Sequence, residues 1–295
     1  MFQPRPQNPL LAASLIVLAG VFIAASTLFA KALGAPGTGE GLHPLQISHG
    51  RFVFAFLGLG LAAALMRPSF TAIHWRLHLA RTSCGWLGVT CMFAAVAFIP
   101  LADATAISFL NPVFGMLLAV PLLGERVGPI RWSAAALALC GAVILLRPTP
   151  DSFQPAALLA LAAAAVMGLE LIFIKKLAGR EGPFQILLVN NLVGLIIATV
   201  AVVSVWQMPT PTQWALLAGV GFSMALAQAC FVNGMARADA SFVAPFSYAT
   251  LIFATLYDVL FFSVLPDAVS LVGAGVIVTG AVILALREAH LKARG

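Results

Sequence analysis

Ten stretches of this chain each run for roughly 20 mainly apolar residues, the length that carries a helix across the hydrocarbon core of a bilayer. They lie near 10–33, 44–66, 78–98, 103–122, 130–147, 155–177, 183–206, 212–236, 241–264 and 269–287. Composition closes the soluble alternative. Of 295 residues, 61% are hydrophobic and 9% charged, whereas soluble domains carry about 25% charged residues. Polarity does not alternate with period two along the runs, which argues against a barrel. The first run, from Leu10, is longer than a signal-peptide core of about 7–15 residues, so it reads as a retained span.

Sidedness follows from Lys and Arg, which gather on the cytoplasmic side. With an inside start, 13 of the 16 basic residues fall in inside segments, Arg81 among them. Lys31, Arg51 and Arg147 belong to outer-half positions. Both termini are therefore expected in the cytoplasm, and the chain in the cytoplasmic (inner) membrane. This bias accounts for the net charge of +6 without a nucleic-acid partner. Cys84, Cys91, Cys140 and Cys230 lie inside spans with no zinc-like spacing and read as buried free thiols. No metal or cofactor is expected.

The chain repeats itself. Pro44-Leu45-Gln46-Ile47 matches Pro183-Phe184-Gln185-Ile186, and Ala102-Asp103-Ala104-Thr105 matches Ala238-Asp239-Ala240-Ser241. Gly141-Ala142-Val143-Ile144-Leu145 matches Gly280-Ala281-Val282-Ile283-Leu284. The offsets point to two five-helix copies, 10–147 and 154–287. Five is odd, so the second copy starts on the opposite side. The expected fold is all-α and membrane-integral: ten transmembrane helices as two inverted five-helix repeats, the usual build of alternating-access carriers.

Two segments carry a family resemblance. Pro100–Phe114 together with Leu122-Leu123-Gly124-Glu125-Arg126 resembles the fourth span of EamA-type carriers in the drug/metabolite transporter superfamily, and Ala238–Tyr248 resembles the ninth. Arg51-Phe52 fits as well. The resemblance covers nearly the whole chain and implies ten helices around a central cavity, with helices five and ten peripheral. It departs where Ser263-Val264 follow the ninth span, since the family often has Gly-Glu there.

Ionisable side chains inside spans are costly and invite a functional explanation. Glu170 lies deep in the sixth span, as a site for a substrate cation or proton, or as one half of an inter-helix ion pair. Arg51 would grip a carboxylate or phosphate of a solute in a bidentate fork; a bridge to Asp258 or to a backbone carbonyl is the structural alternative. His49 is a proton site or a neutral packing residue. Asn190, at the position equivalent to Arg51, offers an amide, as do Asn191 and Gln228. Trp86 and Tyr248 would supply aromatic walls, and Asn111 a polar group beside Pro112. Pro112 and Pro245 are hinge candidates or static kinks. His74 and His78 have metal-like i,i+4 spacing inside a basic, Trp-containing segment that reads as interfacial.

These residues suit a secondary active transporter for a small polar or amphipathic metabolite, an amino acid or derivative. Its partners are the solute, membrane lipid and, as a co-substrate, protons, with the protein a monomer or homodimer. Glu170 and Arg51 would hold opposite ends of a zwitterion. No G-x-x-x-x-G-K-[ST] motif encodes an ATPase. The rival readings are a lipid translocase or scramblase and a membrane-embedded lipid enzyme; H-E-x-x-H and G-x-S-x-G are both absent.

Overall fold

The computed structural model describes residues 8–34, 40–123, 128–146, 154–178, 180–235, 237, 246–247 and 249–292. Among them every regular element is helical. Three long helices, α1 (Pro9–Gly34), α2 (Pro44–Met66) and α3 (Trp75–Val96), precede two short ones, α4 (Leu101–Ser108) and α5 (Asn111–Leu123), and then α6 (Pro129–Leu146). There follow α7 (Ala156–Ala178), α8 (Pro183–Val202), α9 (Pro211–Met235), α10 (Ala249–Phe262) and α11 (Ala268–Lys292). Seven stretches are long and apolar enough to cross a membrane, one of them running through α4 and α5. Trp132–Ile144, Ala249–Phe262 and Ala268–Gly280 are shorter apolar helices. Leu57, Leu61 and Leu65 of α2, a turn apart, point outward, as a bilayer-facing stripe requires.

Local chemistry sets the boundaries. Pro44, Pro183 and Pro211 open α2, α8 and α9, where the missing N–H has no helical partner to lose. Thr210 and Gln213 form a reciprocal cap: the Gln213 N–H donates to the Thr210 hydroxyl at 3.2 Å, and the Thr210 N–H to the Gln213 side chain at 2.9 Å. α2 ends at Arg67, left-handed at φ 44°, whose N–H donates to the Ala63 carbonyl. The first turn of α4 is capped from another element, since Asp258 of α10 accepts the Ala102 N–H at 2.9 Å.

The fourth expected span divides at Phe109–Leu110, where the N–H groups bond back to the Ala106 and Ile107 carbonyls. The kink expected of Pro112 is thus made by a turn ahead of it. Pro112 sits in the first turn of α5, where it displaces no helical bond, and Pro121 is the proline inside that helix.

α1 packs along α9, α3 along α7 and α6 along α11, while α2 lies against α8 and α9. Near the start of α2, Gln46 donates to the Gln207 carbonyl at 2.6 Å and accepts the Gln207 N–H at 3.2 Å, just beyond the end of α8. Near the start of α8, Gln185 accepts the Thr71 N–H at 2.7 Å and donates to the Thr71 carbonyl at 3.2 Å, beyond the end of α2. α2 and α8 therefore run antiparallel. Gly141 and Gly280 bring α6 and α11 together: a Cβ on Gly141 would stand 2.7 Å from the Ile277 nitrogen, and one on Gly280 2.7 Å from the Ala138 nitrogen.

Candidate functional site

Two ionisable side chains pair in the interior of the bundle, and a third acts on them electrostatically. The carboxylate of Glu170 on α7, 15% exposed, has Oε1 3.3 Å from Nε of Arg81 on α3. Arg51 on α2 is electrostatically coupled to both, and each arginine is only 5% exposed. The approach depends on Gly85, because a Cβ there would lie 3.0 Å from the carboxyl carbon and both oxygens. Arg81, Gly85 and Gly88 recur at i, i+4 and i+7, one face of α3, and Gly88 receives the Met167 side chain of α7 in the same way. Arg81 Nη1 donates to the Ile186 carbonyl at 3.2 Å. The Arg51 guanidinium lies 4.2 Å from the centroid of the Phe52 ring.

Amides from α8 and α9 adjoin this group. The Thr82 hydroxyl donates to Asn190 at 3.0 Å. Asn191 donates to the Leu187 carbonyl at 2.9 Å and to the Gln228 side chain at 3.2 Å. Arg51 Nε, Arg81 Nε, Trp86 Nε1, Ser48 Oγ and Asn191 Oδ1 are buried without a hydrogen-bond partner among the described residues. The Arg81–Glu170 contact is thus an ion pair without an aligned hydrogen bond. Protein interiors leave few polar atoms unmet, so a group of them calls for an explanation.

The sequence reading singled out Glu170, Arg51, Asn190, Trp86 and Gln228, and these lie on the helices α2, α3, α7, α8 and α9. His49 meets Trp206 edge-on at 5.7 Å, and Trp206 meets Trp214 at 6.4 Å, so its neighbours form an aromatic group near the start of α2. Asn111 is half-buried at the start of α5, its carbonyl oxygen 2.8 Å from where a Cβ on Gly168 would stand, a helix-to-helix contact. Tyr248 and Pro245 lie outside the described residues, as does Gly124-Glu125-Arg126. Asp258 does not bridge to Arg51. It accepts Lys31 Nζ at 2.6 Å, and that ammonium also lies 4.4 Å from the Phe262 ring centroid.

Arg81 is the residue of this group that the sequence does not single out. Its position near a span end groups it with the basic residues that set sidedness, and the structure buries it beside Glu170. The available signal was its i,i+4 relation to Gly85, a residue with no side chain to block a partner.

A second polar group joins the α2–α3 and α7–α8 connections. Glu181, 5% exposed, accepts the His74 N–H at 2.8 Å and lies 2.9 Å from His74 Nδ1. Its other oxygen lies 2.8 Å from His78 Nε2 and accepts Gln185 Nε2 at 2.7 Å. Burial pushes the carboxyl group up, but the bonds from His78 and His74 outweigh it and hold the pKa at about 2. The two histidines thus share a carboxylate, and among the described residues no His, Cys, Asp or Glu group is assembled for a metal.

Among the described residues, seven apolar stretches of spanning length packed around buried charges define an integral membrane protein of many passes. Residues 10–147 and 154–286 match the EamA-like transporter family, and the chain belongs to it. It is a carrier of the drug/metabolite transporter superfamily, whose relatives are transporters rather than enzymes. A riboflavin transporter of Rhizobium johnstonii is 36% identical over 81% of this chain and 80% of its own. An S-adenosylmethionine uptake transporter of Rickettsia bellii is 26% identical over 85% and 86%. One protein of known crystal structure, 22% identical, superposes with a TM-score of 0.63 over 95% of this chain and 98% of its own, a likeness of fold.

Proposed function

We propose that this chain is a secondary carrier that moves a small polar metabolite across the cytoplasmic membrane by alternating access. The two copies, 10–147 and 154–287, act as inverted repeats of five spans each, with both termini in the cytoplasm. The antiparallel course of α2 and α8 supports this arrangement. So does the crosswise packing of α1 on α9 and of α3 on α7, the pairing that exchange of two copies would produce.

The observation that carries the reading is the buried Arg51–Arg81–Glu170 group, whose Nε–H donors have no partner among the described residues. A solute with an acceptor-bearing edge would satisfy those donors, and the Trp86 ring and the amides of Asn190 and Gln228 would flank it. Riboflavin and S-adenosylmethionine, the solutes named for two relatives, each join a flat heteroaromatic ring to a polar chain, which suits such walls. An amino acid or derivative is the second reading, favoured by the presence of a carboxylate and guanidinium groups in one site. Protons are the candidate coupling ion, through Glu170. Pro112 and Pro245 are the proposed hinges, and Tyr248, His49 and Asn111 further candidates at the cavity wall.

Uptake into proteoliposomes of radiolabelled riboflavin, S-adenosylmethionine and an amino-acid panel tests this, with lipid translocation followed in parallel. The expected result is saturable flux of one solute class, which Glu170→Gln reduces by at least about tenfold if the carboxylate acts in transport. Lipid translocation without solute flux would overturn the carrier reading.

A further inference from the structure

We infer that the solute bears one negative charge, a carboxylate, which Arg51 and Arg81 read together. This rests on the carrier reading above and names the substrate class for the same site. The ground is charge balance. The interior group holds two guanidinium ions and one carboxylate, and among the described residues Glu170 is the one anion that acts on either arginine. Lys31 with Asp258 is closed on itself at 2.6 Å, and the buried Glu181 carboxylate is taken up by His74, His78 and Gln185. The site therefore carries one uncompensated positive charge.

A guanidinium does not shed its proton in a protein, so the site cannot neutralise itself by losing one from arginine. A buried charge demands a partner. The ion pair already present does not saturate the donors: Arg81 Nε stands 3.3 Å from Glu170, beyond the 2.7–2.9 Å usual for charge-assisted bonds. Among the described residues, Arg51 Nε, Arg81 Nε and Trp86 Nε1 remain buried without acceptors. An uncharged solute would occupy those donors and leave the charge. A phosphate monoester, at about −1.5 to −2, would overshoot it. A carboxylate does both tasks with one group. Trp86, on the same helix as Arg81, would carry the aromatic body of the same molecule.

Two probes of nearly equal shape, indole-3-acetate and indole-3-acetamide, differ by this charge. With the full-length protein in detergent, thermal-shift titration should show the acetate binding at least about tenfold more tightly, since the amide leaves a buried charge unpaired. Arg51→Gln should abolish the preference and Arg51→Lys should retain it. Glu170→Gln raises the site to two uncompensated charges and should strengthen acetate binding; it provides the decisive reading should Arg51→Gln fail to fold.

Equal binding of the two probes by the wild-type protein, or weaker acetate binding by Glu170→Gln, overturns the inference. Titration in phosphatidylcholine nanodiscs with and without phosphatidylglycerol separates the sources of anion. If phosphatidylglycerol competes the acetate away and is itself translocated, the anion is a lipid headgroup and the inference falls. Riboflavin flux without any preference for the acetate would defeat the charge inference alone. Absence of flux for every solute would defeat the carrier reading beneath it.

Discussion

Asp258 answers two groups at once, accepting the Lys31 ammonium at 2.6 Å and the Ala102 N–H at 2.9 Å. One carboxylate thereby fastens α1 and α4 to α10. Replacing it with Asn leaves a buried ammonium without its counter-charge, a loss of about 3–5 kcal/mol. Asp258→Asn should lower the melting temperature in detergent, and adding Lys31→Met should recover most of the loss; an unchanged melting temperature would show the pair to be inert. Glu181 makes a second residue-level prediction. Its folded pKa of about 2 lies below the ordinary 4.5, so the unfolded chain takes up the proton first. The stabilisation is present above about pH 4.5 and fades as pH falls towards 2. Melting curves between pH 7 and 2 should show this acid loss, and Glu181→Gln should flatten it. Of the site itself, Glu170 and Arg51 were legible because each breaks an apolar run. Arg81 was not, because a basic residue near a span end looks the same whether it points to water or inward.

Between elements, the recurring Pro-x-Gln-Ile pattern acquires a purpose. Gln46 and Gln185 hold equivalent places in α2 and α8, and each clamps both backbone groups of one residue in the connection beyond the opposite helix. The surroundings differ. The Gln185 end adds Glu181, His74 and His78, whereas the Gln46 end has the reciprocal Thr210–Gln213 cap, with Gln213 donating to the Glu40 carbonyl at 2.9 Å. If the copies alternate in opening, breaking either clamp frees a different end, at about 1–3 kcal/mol per stranded buried group. In a variant retaining Cys84 as sole cysteine, Gln185→Ala should raise labelling by an impermeant maleimide from the cytoplasmic side. Gln46→Ala should raise it from the opposite side. Equal effects from both would argue that the clamps are structural only. The sequence repeat marked where these residues stood. It did not say what they touch, because a glutamine inside a span is equally suited to lining a cavity or tying a loop.

Across the whole molecule, the basic bias fixes an expected sidedness that the packing does not depend on. A periplasmic reporter enzyme joined after Gly295 should be inactive, and an active one would overturn the assignment of cytoplasmic termini. The helical, membrane-crossing character of the chain was readable from the sequence by itself, because transfer of an apolar run into lipid is a local, additive property. Only the tertiary structure decided that Arg81 faces Glu170, that Lys31 takes Asp258, and that Gln46 and Gln185 each reach the connection beyond the opposite helix. Those choices turn on helix rotation and crossing, set by where glycines such as Gly85, Gly141 and Gly280 let backbones or side chains come close. That is a relation between distant segments, and no single run of residues carries it.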